Sequence, residues 1–182
     1  HDLIILGSVD ASKLPSGAID KIAKLVEDEG ASFIIAGSPT LDKVKLKNLN
    51  PVKLNGLANN PTEVFNLQSM NEITGDLSFS KVDNYYKASP LKGTTVLANA
   101  NDNSTIIAIA DYGSGKIAYY GIFDTQSKFK FDISYPLFWQ QLIDYMMGAE
   151  NVNNLNYEIR EKLIFDNDGT DGYYFKLLVN EE

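Results

Sequence analysis

Apolar runs without a polar break set the frame of this chain. Ser32-Phe33-Ile34-Ile35-Ala36 leads into Gly37-Ser38-Pro39-Thr40. Four consecutive apolar residues describe a strand covered on both faces, and the glycine-proline turn stops it. Asp2-Leu3-Ile4-Ile5-Leu6-Gly7 repeats the pattern. Between the two, Ala18, Ile19, Ile22, Ala23, Leu25 and Val26 recur at helical spacing behind Pro15 and Ser16, and Gly30 closes the segment. A helix over 16–29 between two strands makes a βαβ unit, whose strands are expected to be parallel.

From Leu41 to Pro90 the pattern weakens. Lys43, Lys45 and Lys47 alternate with Val44 and Leu46, as in a short solvated edge strand. Asn50-Pro51, Asn55-Gly56 and Asn59-Asn60-Pro61 are turn signals. Residues 62–66 and 76–80 read as further edge strands. Strand patterns return at 94–98, 105–110 and 116–122, and the last two form an antiparallel hairpin around Gly113-Ser114-Gly115. Leu137, Phe138, Leu142, Tyr145 and Met146 share one face of a helix over 135–147, which Gly148 ends. After an asparagine-rich connection, 163–165 and 173–179 read as strands around an Asp-Gly turn. They form either an added hairpin or the start of a following β module. The chain is therefore divided into a domain over 1–148 and an extension over 149–182.

Composition narrows the function. A formal net charge of −8 and a pI near 4.7 argue against non-specific nucleic-acid binding and against adsorption to an anionic membrane. No apolar stretch is long enough to span a bilayer. With no cysteine, the chain has no disulfide, thiolate metal site or cysteine nucleophile. The only histidine is His1, which is read as a tag remnant. Because the chain opens directly on a strand, it is expected to be a piece of a longer protein.

Three stretches carry a family resemblance: Asp2-Leu3-Ile4-Ile5-Leu6, the segment from Leu25 to Gly37, and the hairpin from Tyr112 to Gly121 followed by Tyr135-Pro136-Leu137-Phe138-Trp139. Together they resemble the class I glutamine amidotransferase-like superfamily. The nearest type is the variant found in membrane proteins with von Willebrand type A modules, the aerotolerance-regulator type. The resemblance implies an α/β, three-layer flavodoxin-like fold: a mainly parallel sheet with an antiparallel hairpin, shortened at its N-terminus. Active members carry a cysteine after the second strand and a histidine later in the chain. Here Gly37-Ser38-Pro39 occupies the cysteine turn, and Gly121-Ile122 stands where some relatives have Gly-His.

No catalytic residue and no cofactor is therefore expected. The leading expectation is a non-catalytic interaction or structural module of a larger, membrane-anchored protein. Its partners would be proteins or other modules of the same chain, with no nucleic acid and no membrane insertion by this segment. The compartment stays open, an extracytoplasmic position being one option. The alternative is a hydrolase or small-polar-ligand domain at the Gly37-Ser38 turn. Asp10, Ser38, Thr40 and Asp124 form its candidate ligand-binding set, since paired carboxylates with hydroxyls can hold a polar ligand or activate water. The plainer reading of the four is loop capping. Asp166, Asp168 and Asp171 crowd oxygens into one turn as a candidate calcium site, although no glutamate closes an EF-hand and Asp-Gly pairs make turns unaided. Gly113-Ser114-Gly115-Lys116 has part of a phosphate-loop pattern but joins two strands.

Overall fold

A computed structural model describes residues 2–8, 11–67, 72–75, 77–79 and 81–148, together with the backbone of 156–165 and 171–180. The chain divides into two compact units, His1–Met147 and Gly148–Glu182.

The first unit is built on one six-stranded sheet. Its strands are β1 (Leu3–Leu6), β2 (Ser32–Ala36), β4 (Val64–Asn66), β6 (Thr95–Ala100), β7 (Thr105–Tyr112) and β8 (Gly115–Tyr120), in the order β1-β2-β8-β7-β6-β4. β3 (Val52–Ala58) and β5 (Tyr85–Pro90) pair antiparallel as a separate two-stranded sheet. Helix α1 (Ala18–Glu29) links β1 to β2, which are parallel, and α2 (Ser134–Met147) follows β8.

Successive residues of the central strands go to opposite sides. Phe33, Ile35, Ile117 and Tyr119 enter one core with Val26 of α1, whereas Ile34, Ala118 and Tyr120 enter the other with Phe138, Leu142 and Met146 of α2. Burial on both faces is what the unbroken apolar runs require.

The expected flavodoxin-like fold is corrected here. Of the five pairings in the main sheet, β1–β2 and β2–β8 are parallel, while β8–β7, β7–β6 and β6–β4 are antiparallel. The sheet is mixed and the unit mostly β, with two short helices. One core is otherwise roofed by the 3₁₀ turns Leu41–Lys43 and Lys47–Leu49 and by the β3–β5 pair; the other is closed by irregular chain carrying Ile73, Leu77 and Phe79 and by the 3₁₀ turn Phe129–Phe131. A two-sided apolar strand shows that something covers it, but not that the cover is helical or that its neighbours run parallel.

The second unit contains β9 (Asn156–Phe165) and β10 (Asp171–Asn180), an antiparallel pair in continuous register from Asn156↔Asn180 to Phe165↔Asp171.

Candidate functional site

β2 and β8 are neighbours, so the loops leaving their carboxyl ends meet. Gly37 makes that meeting possible. A Cβ there would lie 2.8 Å from the carbonyl carbon and oxygen of Gly121, and 3.0 Å from the Phe123 ring. The Gly37 N–H donates to the Tyr120 carbonyl at 2.6 Å, carrying the ladder one residue past β2. Ile122 and Phe123 are buried beside it. The edge where an open α/β sheet places a ligand is filled with protein here.

Ser38 lies inside this packing at 2 % exposure. Its carbonyl accepts the Leu41 N–H, and the carbonyl of the half-buried Thr40 accepts the Lys43 N–H. From β5, Tyr86 pins the same loop. Its hydroxyl lies 3.0 Å from the Asp42 carboxylate and 3.2 Å from the Pro39 carbonyl, and accepts the Asp42 N–H at 3.3 Å. Burial pushes the Tyr86 hydroxyl above its ordinary titration range.

Asp124 follows β8 and is engaged on both oxygens. Tyr120 donates to one at 2.6 Å and Tyr135, in the first turn of α2, donates to the other at 2.7 Å. Burial raises the Asp124 carboxyl above the usual aspartate range, against the opposing pull of the two hydroxyls and the Lys130 charge. Burial likewise drives both phenols up, and the Asp124 charge adds to it. The chain between these groups is fixed locally. Ser127 Oγ accepts the Phe129 N–H at 3.1 Å, and Asp132 Oδ1 accepts the Ser134 N–H at 2.9 Å as α2 begins. Rings complete the cluster: Tyr120 stands 5.2 Å from Phe138 and 5.1 Å from Trp139, and Phe129 stands 5.4 Å from Tyr135.

Chemically this arrangement is a clamp. Each Asp124 oxygen accepts from one phenol, which orients the carboxylate towards the two rings, and Ser38 is not among its donors. The structure thus brings Ser38, Thr40 and Asp124 to one end of the sheet, and among the described residues the donors to the Asp124 carboxylate are Tyr120 and Tyr135 rather than Ser38. Asp10 lies outside the described residues. So do Asp166 and Asp168, while the backbone of Asp171 opens β10. Among the described residues no group of three or more His, Cys, Asp or Glu could hold a metal. No described helix is long and apolar enough to cross a membrane.

Two clefts lie elsewhere. One of about 320 Å³ runs between Ala11–Asp20 and the segment of Lys43, Lys45 and Lys47; one of about 60 Å³ is lined by Asp111, Lys116 and Tyr145. The Gly113-Ser114-Gly115 turn packs under the C-terminal end of α1, where the Ser114 N–H donates to the Glu27 carbonyl at 2.8 Å. A helix carboxyl end repels anions, so the turn has the wrong polarity for phosphate.

Tyr120, Tyr135 and Tyr86 are the participants that sequence reasoning did not identify. The density of aromatic residues from Tyr119 to Trp139 was the available signal, but nothing in the spacing links Tyr135 to Asp124.

The fold has relatives of known structure. Cytoplasmic protein STM1381 from Salmonella typhimurium LT2 aligns with a TM-score of 0.69 at 16 % identity, over 80 % of this chain and 72 % of that one. Cytoplasmic protein STM3548 from Salmonella typhimurium aligns similarly, with a TM-score of 0.68 at 15 % identity and the same coverage of both chains. A β-galactosidase from Bacillus circulans sp. alkalophilus aligns with a TM-score of 0.60 at 14 % identity, over 88 % of this chain but only 25 % of that one. At such identities the likeness concerns the fold alone. No curated protein sequence matches the chain. These structures are neither glutamine amidotransferase-like nor associated with von Willebrand modules, so the expected kinship and the flavodoxin-like fold it implied are corrected. The stretches that suggested it are an apolar strand, a glycine-ended helix and a glycine hairpin, which any two-sided β-rich sheet can use. Residues 1–142 match the family described as "Domain of unknown function (DUF7408)", and the chain belongs to that family.

Proposed function

We propose that the first unit is a non-catalytic interaction module. The observation that carries this reading is the filled strand end: Ser38 is buried and both Asp124 oxygens are taken by tyrosines. A hydrolytic serine needs the reverse, an exposed hydroxyl with a base in reach. The surface adds support. Phe131 is 80 % exposed and Ile133 is 91 % exposed, and Leu137 follows one helical turn later. Three large apolar side chains exposed within seven residues of chain offer apolar surface for a partner to cover.

The test is a panel of activated esters and amides together with a fluorophosphonate probe, applied to the wild type and to Ser38→Ala. The expected result is no turnover above buffer and no adduct on Ser38. Turnover abolished by Ser38→Ala, or a covalent adduct on Ser38, would overturn the proposal.

A further inference from the structure

The edge strands of this molecule are guarded unequally. β4 has three residues, and the Asn66 side chain ties it to the carbonyls of Thr74 and Leu77 at 2.7 Å each. The β3–β5 pair carries Lys53, Lys87 and Pro90, and its register breaks between Leu54 and Leu57. Short length, lysine, proline and bulges are the usual devices against unwanted strand pairing. β1 has none of them beyond its shortness. It is Leu-Ile-Ile-Leu at the end of the sheet, and Ile5 is 47 % exposed.

The hydrogen-bond phase shows which groups are free to pair. The Ser32 N–H donates to the Asp2 carbonyl at 2.8 Å, and Ile4 lies opposite Phe33. Parallel ladders use alternate residues, so Ile4 and Leu6 turn their backbone groups to β2, while Leu3 and Ile5 turn theirs outward. We infer that this edge receives β1 of a second copy, antiparallel, about a two-fold axis at Ile4.

The strand is self-complementary in that register. Leu3 of each copy meets Ile5 of the other and exchanges both backbone bonds with it, giving about four ladder hydrogen bonds. Asp2 faces Leu6 of the second copy, so no carboxylate opposes a carboxylate, which matters in a chain of net charge −8. The faces agree too. Leu3 packs on the core that contains α2, and Ile4 and Leu6 on the core that contains α1. Pairing odd with odd residues keeps each core continuous across the axis and covers Ile5. The interface is isologous, as in most closed dimers. It does not depend on whether the domain has a catalytic activity.

Sedimentation equilibrium of the 182-residue chain from micromolar to millimolar concentration is expected to show 20.2 kDa giving way to twice that mass. Amide exchange on the same samples reads the register without any mutation. Leu3 and Ile5 are expected to slow at least ten-fold as the dimer fills, with no change at Ile4 and Leu6. Ile5→Lys is expected to remain monomeric with unchanged circular dichroism and Tm. The inference is overturned by a wild type that stays monomeric throughout, by a dimer whose Leu3 and Ile5 amides exchange freely, or by a dimer that survives Ile5→Lys.

Discussion

Two adjacent tyrosines experience opposite environments. Tyr119 and Tyr120 are both fully buried, one on each side of β8. Tyr120 donates a hydrogen bond to Asp124, whereas the Tyr119 hydroxyl has no hydrogen-bond partner among the described residues. Leaving a buried polar atom unpaired costs about 1–3 kcal/mol. Tyr120→Phe strips one donor from a buried carboxylate and is expected to lower stability by about that amount in urea unfolding. Tyr119→Phe removes the orphan and is expected to leave stability unchanged or raise it by about 1 kcal/mol. Gly37→Ala would press a methyl group into the Gly121 backbone, a strain expected to cost about 1–3 kcal/mol, visible as an earlier urea midpoint. Single residues were only partly legible from the sequence. Asp124 and Ser38 could be singled out because a carboxylate after a strand and a serine in a turn have a defined chemical repertoire. That repertoire includes being fully engaged by tyrosines, and Tyr135 reaches Asp124 only because α2 folds back over the sheet.

At the scale of elements, local pattern and observed structure agree where burial is two-sided. β2, β7 and α1 were legible from apolar runs and helical spacing. β3 was not, because Asn55-Gly56 reads as a turn. In the structure Gly56, at φ 106°, belongs to the irregularity in the β3–β5 register, a bulge inside a strand. The lysines from 43 to 47 suggested an exposed strand, yet Val44 and Leu46 are buried between two 3₁₀ turns. A polar-apolar alternation over so few residues fits either shape. α2 can be tested through Phe138, whose ring meets those of Phe79, Tyr120, Phe129 and Trp139. Phe138→Ala is expected to cost about 3–5 kcal/mol in urea unfolding, since four rings cannot close the gap without moving the sheet.

Taken whole, the molecule carries carboxylates that respond to pH in opposite senses. Asp124 titrates above its unfolded range, so the stability it confers is complete below about pH 3.9 and is lost as pH rises through its folded value. Asp102 is displaced downward. Burial raises it, but Ser104, Tyr85 and Lys87 together outweigh burial, so its contribution is present above the same range and fades as acid reaches its folded value. Asp124→Asn is expected to flatten the decline of Tm between acid and neutral pH, whereas Asp102→Asn is expected to soften the loss in acid. Most elements and the local pairings, β1 with β2 and β7 with β8, could be read from the chain, but not that β8 would lie beside β2 or that the rest of the sheet would run antiparallel, because long-range pairing is a property of the assembled sheet. That property bears on how the protein is made. β2 finds its central partner, β8, only after about 80 further residues have been added, since Ser32 pairs with Lys116. At synthesis rates of about 5–20 residues per second, that interval lasts about 4–16 s. Throughout it, Phe33-Ile34-Ile35 waits beside the ribosome with one edge open, so the first third of the nascent chain is where a chaperone would have to stand guard.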